Sequence, residues 1–197
     1  MPDTNRPSLS GDRKLGGEGE PEVFVADEQT LPVDLARWSS LAQRVLHAEG
    51  IRGNTELSLL FVDETTMAEL NLEFMGAEGP TDVLAFPIDA EGDLASMPVP
   101  TSLGPDRSPI DLDDIPMLLG DVVVCPAIAN HQAPTHAGTV DDEMALLIVH
   151  GILHVLGHDH AVQEEKAVMR AREVALLEQL HWHQPAPITF RQEHPEE

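Results

Sequence analysis

One cysteine in 197 residues, Cys125, excludes an internal disulfide framework, and its place in the apolar run DVVVCP reads as a buried, inert thiol. No uninterrupted apolar run reaches the ~18 residues of a membrane span, and the first residues lack the basic-then-apolar pattern of a secretory signal. The expectation is a cytoplasmic protein without a membrane partner. Cations are scarce: 11 Lys and Arg stand against 35 Asp and Glu, a formal net charge of -24. This is the opposite of the usual electrostatic footprint of a nucleic-acid binder. An acid excess of this kind keeps a chain soluble, and much of it falls in segments with no apolar period.

Those segments bound one domain. Residues 1–20 are rich in Pro, Gly, Ser and charge and read as a disordered tail, residues 21–182 as the domain, and residues 183–197 as a flexible tail. Within the domain EVFVAD alternates as a strand, and Val33 to Glu49 places Leu35, Trp38, Leu41, Ala42, Val45 and Leu46 on one helical face. ELSLLFV puts Leu57, Leu59 and Phe61 on one strand face, and Asp63 follows as the cap of a short helix carrying Met67 and Leu70. TDVLAFP from Thr81 reads as a third strand closed by Pro87, and MLLGDVVVC as a fourth. Between them residues 88–116, with repeated Pro, Gly and Asp, form a long acidic loop. Pro126 to Ala137 reads as a short helix, Asp141 to Leu156 as a strongly apolar one with acids in its first turn, and Val162 to Leu180 as an amphipathic one. The order predicts an α+β fold: a small four-stranded mixed sheet with about five helices, rather than a regular βαβ array.

What the chain does have is histidine in one place. ALLIVHGILHVLGHDH, Ala145 to His160, holds four of the ten imidazoles. His150 and His154 are one helical turn apart, so their Cβ atoms lie about 5–6 Å from each other and both rings reach one ion. Ala145, Ile148, Val149, Ile152 and Leu156 make the helix apolar almost all round, which predicts a buried helix with its imidazoles inside. Gly157 stands where a left-handed residue ends the helix and turns His160 back toward the same ion. Zinc suits this set, because it takes neutral imidazole nitrogens and three protein ligands leave a position open for chemistry.

The spacing H-x-x-x-H-x-x-G-x-x-H also occurs in metzincin peptidases, whose general base is a glutamate directly after the first histidine. Here that residue is Gly151, expected to leave space beside the ion, so a peptidase would lack its base. Asp159 is the nearest carboxylate. It can orient an imidazole, act as catalytic base, or cap the turn, and the sequence leaves these three roles open. His158 is expected outside the ligand set.

HGILHVLGHDH resembles the signature of the YbeY family of bacterial rRNA-maturation endoribonucleases, and the resemblance extends to PTDVLAFP (Pro80 to Pro87) and LLGDVVVCP (Leu118 to Pro126). The resemblance implies a zinc-dependent hydrolase of single-stranded RNA, with one zinc ion on His150, His154 and His160. It further implies maturation of the small-subunit rRNA 3′ end and ribosome quality control. Many members carry an arginine in the segment before TDV that engages RNA. Here Met75 occupies that place, and its expected role is a core filler.

With this charge and without that arginine, affinity for an rRNA precursor is expected to need a partner, either a small-subunit ribosomal protein or an assembly GTPase. Lys166, Arg170 and Arg172 follow the histidines and are expected to pair with Glu165, Glu173 and neighbouring acids. The chemistry expected is metal-assisted phosphodiester cleavage, with water or the RNA 2′-hydroxyl as nucleophile. Two other classes remain beside it: a metzincin-like peptidase, and a non-catalytic assembly factor whose zinc is structural.

Overall fold

The computed structural model describes residues 19–88, 116–158 and 163–192. The interior of the acidic loop, Asp159 and His160 lie outside these residues.

Four strands form one sheet in the order β1-β2-β4-β3: β1 Glu22–Glu28, β2 Thr55–Val62, β3 Val83–Pro87 and β4 Met117–Val124. β1, β2 and β4 run parallel, and β3 is antiparallel to β4 at one edge, so the sheet is mixed as expected. The edge place suits Pro87, which has no N–H to give a central ladder. β3 starts at Val83 rather than Thr81 because the Asp82 carboxylate takes the Val83 N–H at 2.8 Å.

Among the described residues five α-helices accompany the sheet: α1 Leu35–Ala48, α2 Glu64–Leu70, α3 Pro126–Gln132, α4 Val140–Val155 and α5 Gln163–Leu177. α1 begins two residues later than its apolar pattern because Asp34 is the cap, accepting from Arg37 N–H at 3.1 Å. α2 continues into a wide π turn, Asn71–Met75, and α5 into another, Glu178–Trp182.

The core lies between one sheet face and the helices α1, α4 and α5. Leu57, Leu59, Phe61, Val122 and Val124 from the strands meet Leu41, Val45, Ile148, Ile152 and Leu176 from the helices. α4 is buried on nearly every side, as its composition predicts. Cys125 is free and buried, and burial pushes its thiol up, in keeping with an inert role.

Residues 183–192, the start of the expected flexible tail, touch the body at several points. Phe190 meets the Trp182 ring edge-on with centroids 4.8 Å apart, Arg191 N–H donates to the His136 carbonyl at 3.1 Å, and the Gln192 amide reaches α5. Two aromatic rings partly cover each other here, a contact that the Pro-rich, charged composition of the segment does not signal.

Candidate metal centre

α4 sets the geometry. Its N-terminus is held by Thr139, whose Oγ1 accepts from Asp142 N–H at 3.1 Å and donates back to the Asp142 carboxylate at 2.7 Å. The acids of this first turn do more than face the helix dipole. Asp142 also accepts from His181 Nε2 at 2.9 Å and Trp182 Nε1 at 2.5 Å, and Glu143, with no exposed surface, takes His136 Nδ1 at 2.8 Å and Ala137 N–H at 3.1 Å. Burial pushes the Asp142 carboxyl up, but the hydrogen bonds from Thr139, Trp182 and His181 outweigh it and leave the pKa below 3.8. Burial pulls His136 down, and Glu143 reverses this to leave its pKa above 6.5. The apolar period of this helix and the acids of its first turn were legible; the buried pairs with His136, His181 and Trp182 were not, because they join residues from separate elements.

At the other end Leu156, Gly157 and His158 close the helix. Gly157 has φ +88°, its N–H bonds the His154 carbonyl at 2.9 Å, and His158 N–H bonds that of Leu153 at 2.9 Å. This is the left-handed cap read from the sequence. It turns the chain directly after the two histidines.

His150 and His154 point at each other through Nε2, 3.1 Å apart. Two imidazoles on one tetrahedral zinc, each at about 2.05 Å, have their nitrogens about 3.3 Å apart, so the pair fits a shared ion. His150 Nδ1 faces Glu173 Oε1 at 2.7 Å. A carboxylate at that nitrogen holds the proton there and leaves the Nε2 lone pair for a metal. The expectation that both rings sit inside is corrected: the His150 side chain is 34% exposed and His154 is half-buried, so the pair lines an accessible rim of a buried helix. Among the described residues no three His, Cys, Asp or Glu side chains converge on one point, and the third expected ligand, His160, is outside them with Asp159.

Gly151 does not face the histidines. A Cβ there would lie 2.6 Å from Val122 Cγ1 and 3.4 Å from Val83 Cγ2, so this position is the contact of α4 with the sheet. The expected space beside the ion is therefore absent at Gly151, and a carboxylate at 151 would point into the core. That geometry weighs against the peptidase class independently of the missing residue.

His158 stands outside the pair, with Nε2 3.6 Å from Glu49. Arg172 reaches across to Glu49 at 2.6 Å and to the Ala48 carbonyl at 3.1 Å, binding α5 to the end of α1. An acid does pair with it, as expected of these cations, but from α1's C-terminal cap rather than from α5 itself. Burial pushes Glu49 up, while hydrogen bonds from His158 and Arg172 and the Arg172 charge prevail and hold it below 4.5. Met75 is corrected as well: it is 54% exposed on the π turn after α2, beside exposed Leu72 and Phe74, and fills no core.

The family model described as endoribonuclease YbeY matches residues 24–181. A relative named endoribonuclease YbeY from Salinispora tropica is 42% identical over 155 residues, 79% of this chain and 93% of that protein. Relatives of the same name from Acidothermus cellulolyticus and Thermobifida fusca are 44% identical over 158 residues and 40% identical over 155. The solution structure of TM1509 from Thermotoga maritima aligns with 89% of this chain at 21% identity and a TM-score of 0.49.

Proposed function

The chain belongs to the endoribonuclease YbeY family, and on that premise we propose that it cleaves single-stranded rRNA precursor at the small-subunit 3′ end, using one zinc ion held by His150, His154 and His160. It is a hydrolase of RNA phosphodiester bonds. The observation that carries the reading is the pair of facing Nε2 atoms, 3.1 Å apart on a half-exposed rim, with Glu173 on the far nitrogen of one ring. When bound, zinc supplies Lewis-acid polarisation of a phosphoryl oxygen and offsets charge developing during cleavage.

The chain's own residues do the rest. His150 and His154 bind through Nε2, while Glu173 keeps the His150 proton on Nδ1. The apolar body of α4 makes a dry floor beneath the pair, and the exposed edge of His150 admits a substrate from solvent. Asp159, just before the third ligand, is the carboxylate we assign to taking the proton of the attacking hydroxyl. Products identify that nucleophile: the RNA 2′-hydroxyl leaves a cyclic phosphate and water does not. Arg172 is engaged by Glu49 and the α1 terminus, and Lys166 and Arg170 stand one helical turn apart on α5. At a net charge of -24 the protein is brought to its RNA by a small-subunit ribosomal protein or an assembly GTPase, in the cytoplasm where that subunit is made.

The test gives purified protein a single-stranded 3′ rRNA precursor and casein, each with and without a chelator. RNA cleavage that chelator abolishes, with casein intact, is expected. Cleaved casein, or RNA cleavage indifferent to chelator, would overturn the proposal.

A further inference from the structure

We infer that Glu173 and Gln192 form a brace that positions His150 for metal binding, so that the segment following the family-matched region tunes the centre. This rests on the reading of His150 as a ligand. Glu173 lies on α5 and is only 4% exposed, and a buried carboxylate needs donors on its oxygens. Each oxygen has a different one: Oε1 faces His150 Nδ1 at 2.7 Å, and Oε2 accepts from Gln192 Nε2 at 2.8 Å. The same Gln192 nitrogen donates to the Arg170 carbonyl at 2.9 Å. One amide NH2 has two hydrogens, so both are used, and the carboxylate plane is fixed by a side chain that is itself fixed.

Gln192 is in turn anchored through its neighbours. Arg191 N–H is bonded to the His136 carbonyl at 3.1 Å, and the His136 ring to Glu143 at 2.8 Å. Glu143 and His150 are both on α4, so the contacts close a ring: α4, His136, residues 191–192, Glu173 of α5, and α4 again. A ring of this kind resists rotation of the imidazole more than a single hydrogen bond does. The family match ends at residue 181, before this segment begins. A search by motif alone therefore passes over Gln192.

A carboxylate on the far nitrogen orients a ligating imidazole and raises its basicity, and loss of such a partner weakens metal binding about 10- to 100-fold. Glu173→Gln is expected to lose that much zinc affinity, measured by competition with a chromogenic chelator. Gln192→Ala removes one hydrogen bond from the carboxylate and is expected to cost about 5-fold. Both should also shift the visible absorption of the cobalt-substituted protein, a readout of ligand orientation that loss of folding stability alone does not move. Thermal melting of the metal-free variants identifies any that fail to fold. Because Gln192 lies at the edge of the body, its variant keeps the test open if Glu173→Gln unfolds.

Zinc affinity and cobalt spectra within twofold of wild type in either folded variant would overturn the brace while leaving the centre standing. A wild type whose zinc affinity is unchanged by His154→Ala would overturn the reading of the centre, and the brace with it.

Discussion

At Gly151 helix and sheet approach more closely than a methyl group allows, with Val122 Cγ1 2.6 Å from where a Cβ would stand. Gly151→Ala is expected to destabilise the fold by about 1–3 kcal/mol, the usual cost of overpacking, visible as a lower denaturant midpoint. Gly151→Glu should be worse and should gain no proteolysis, because its carboxylate is directed into the core. An unchanged midpoint for Gly151→Ala would contradict the packing. Asp142 makes a prediction in pH. Its folded pKa is depressed below the ordinary 3.8, so its stabilising contribution is present above that value and is lost as pH falls through the depressed one. Asp142→Asn is therefore expected to be less stable at neutral pH and to show a flatter acid limb below about pH 4 in thermal melts. A parallel acid limb in the two proteins would count against the Thr139, His181 and Trp182 hydrogen bonds. His150 and His154 were legible as a pair from their spacing, whereas Glu173 was not. It sits on another helix, and nothing in a local period distinguishes it from its neighbours as the buried acid.

Among the elements α4 was the most readable, because an apolar run, acids in the first turn and a glycine stop agree. Thr139→Ala should cost about 1 kcal/mol through the lost cap. Gly157→Ala, at φ +88°, should cost a similar amount, roughly 1 kcal/mol, from the left-handed backbone. The two should differ in function: Gly157→Ala disturbs the turn toward His160 and should weaken zinc binding, whereas Thr139→Ala, at the far end of the helix, should not. Equal effects on zinc affinity would contradict the placing of the centre at the C-terminal end of α4. The π turns after α2 and α5 escaped the sequence, since a helical period does not tell a continuing helix from one that widens. Met75 was misjudged for that reason, and an apolar side chain expected inside is on the surface. The contacts of segment 183–192 were not legible because they are a Trp182–Phe190 contact and scattered hydrogen bonds, among them those at Glu178, His136, Arg170 and Glu173, rather than an apolar stripe.

For the whole molecule the sequence supplied the class and the strand count but not the strand order. β4 lies between β2 and β3, and only the pairing shows that the third strand is the antiparallel edge. Charge acts at this scale as well. With -24 net and Met75 exposed, isolated protein is expected to bind single-stranded RNA weakly and with a shallow salt dependence. Each phosphate neutralised on a single strand contributes about 0.7 to the logarithmic slope, so a titration of labelled precursor at several salt concentrations counts the cations engaged. Met75→Arg should tighten binding and steepen the slope by about that amount if the π turn meets the backbone. Nanomolar affinity with a steep slope in the unaltered protein would contradict the need for a partner. The central claim, that His150 and His154 are two arms of one zinc centre, is tested most directly by elemental analysis of protein purified without chelator, beside His154→Ala. One equivalent of zinc per chain in the wild type and a large loss in the variant are expected. Less than about half an equivalent in the wild type, below what a tightly held structural or catalytic ion leaves, or unchanged zinc in the variant, would contradict it.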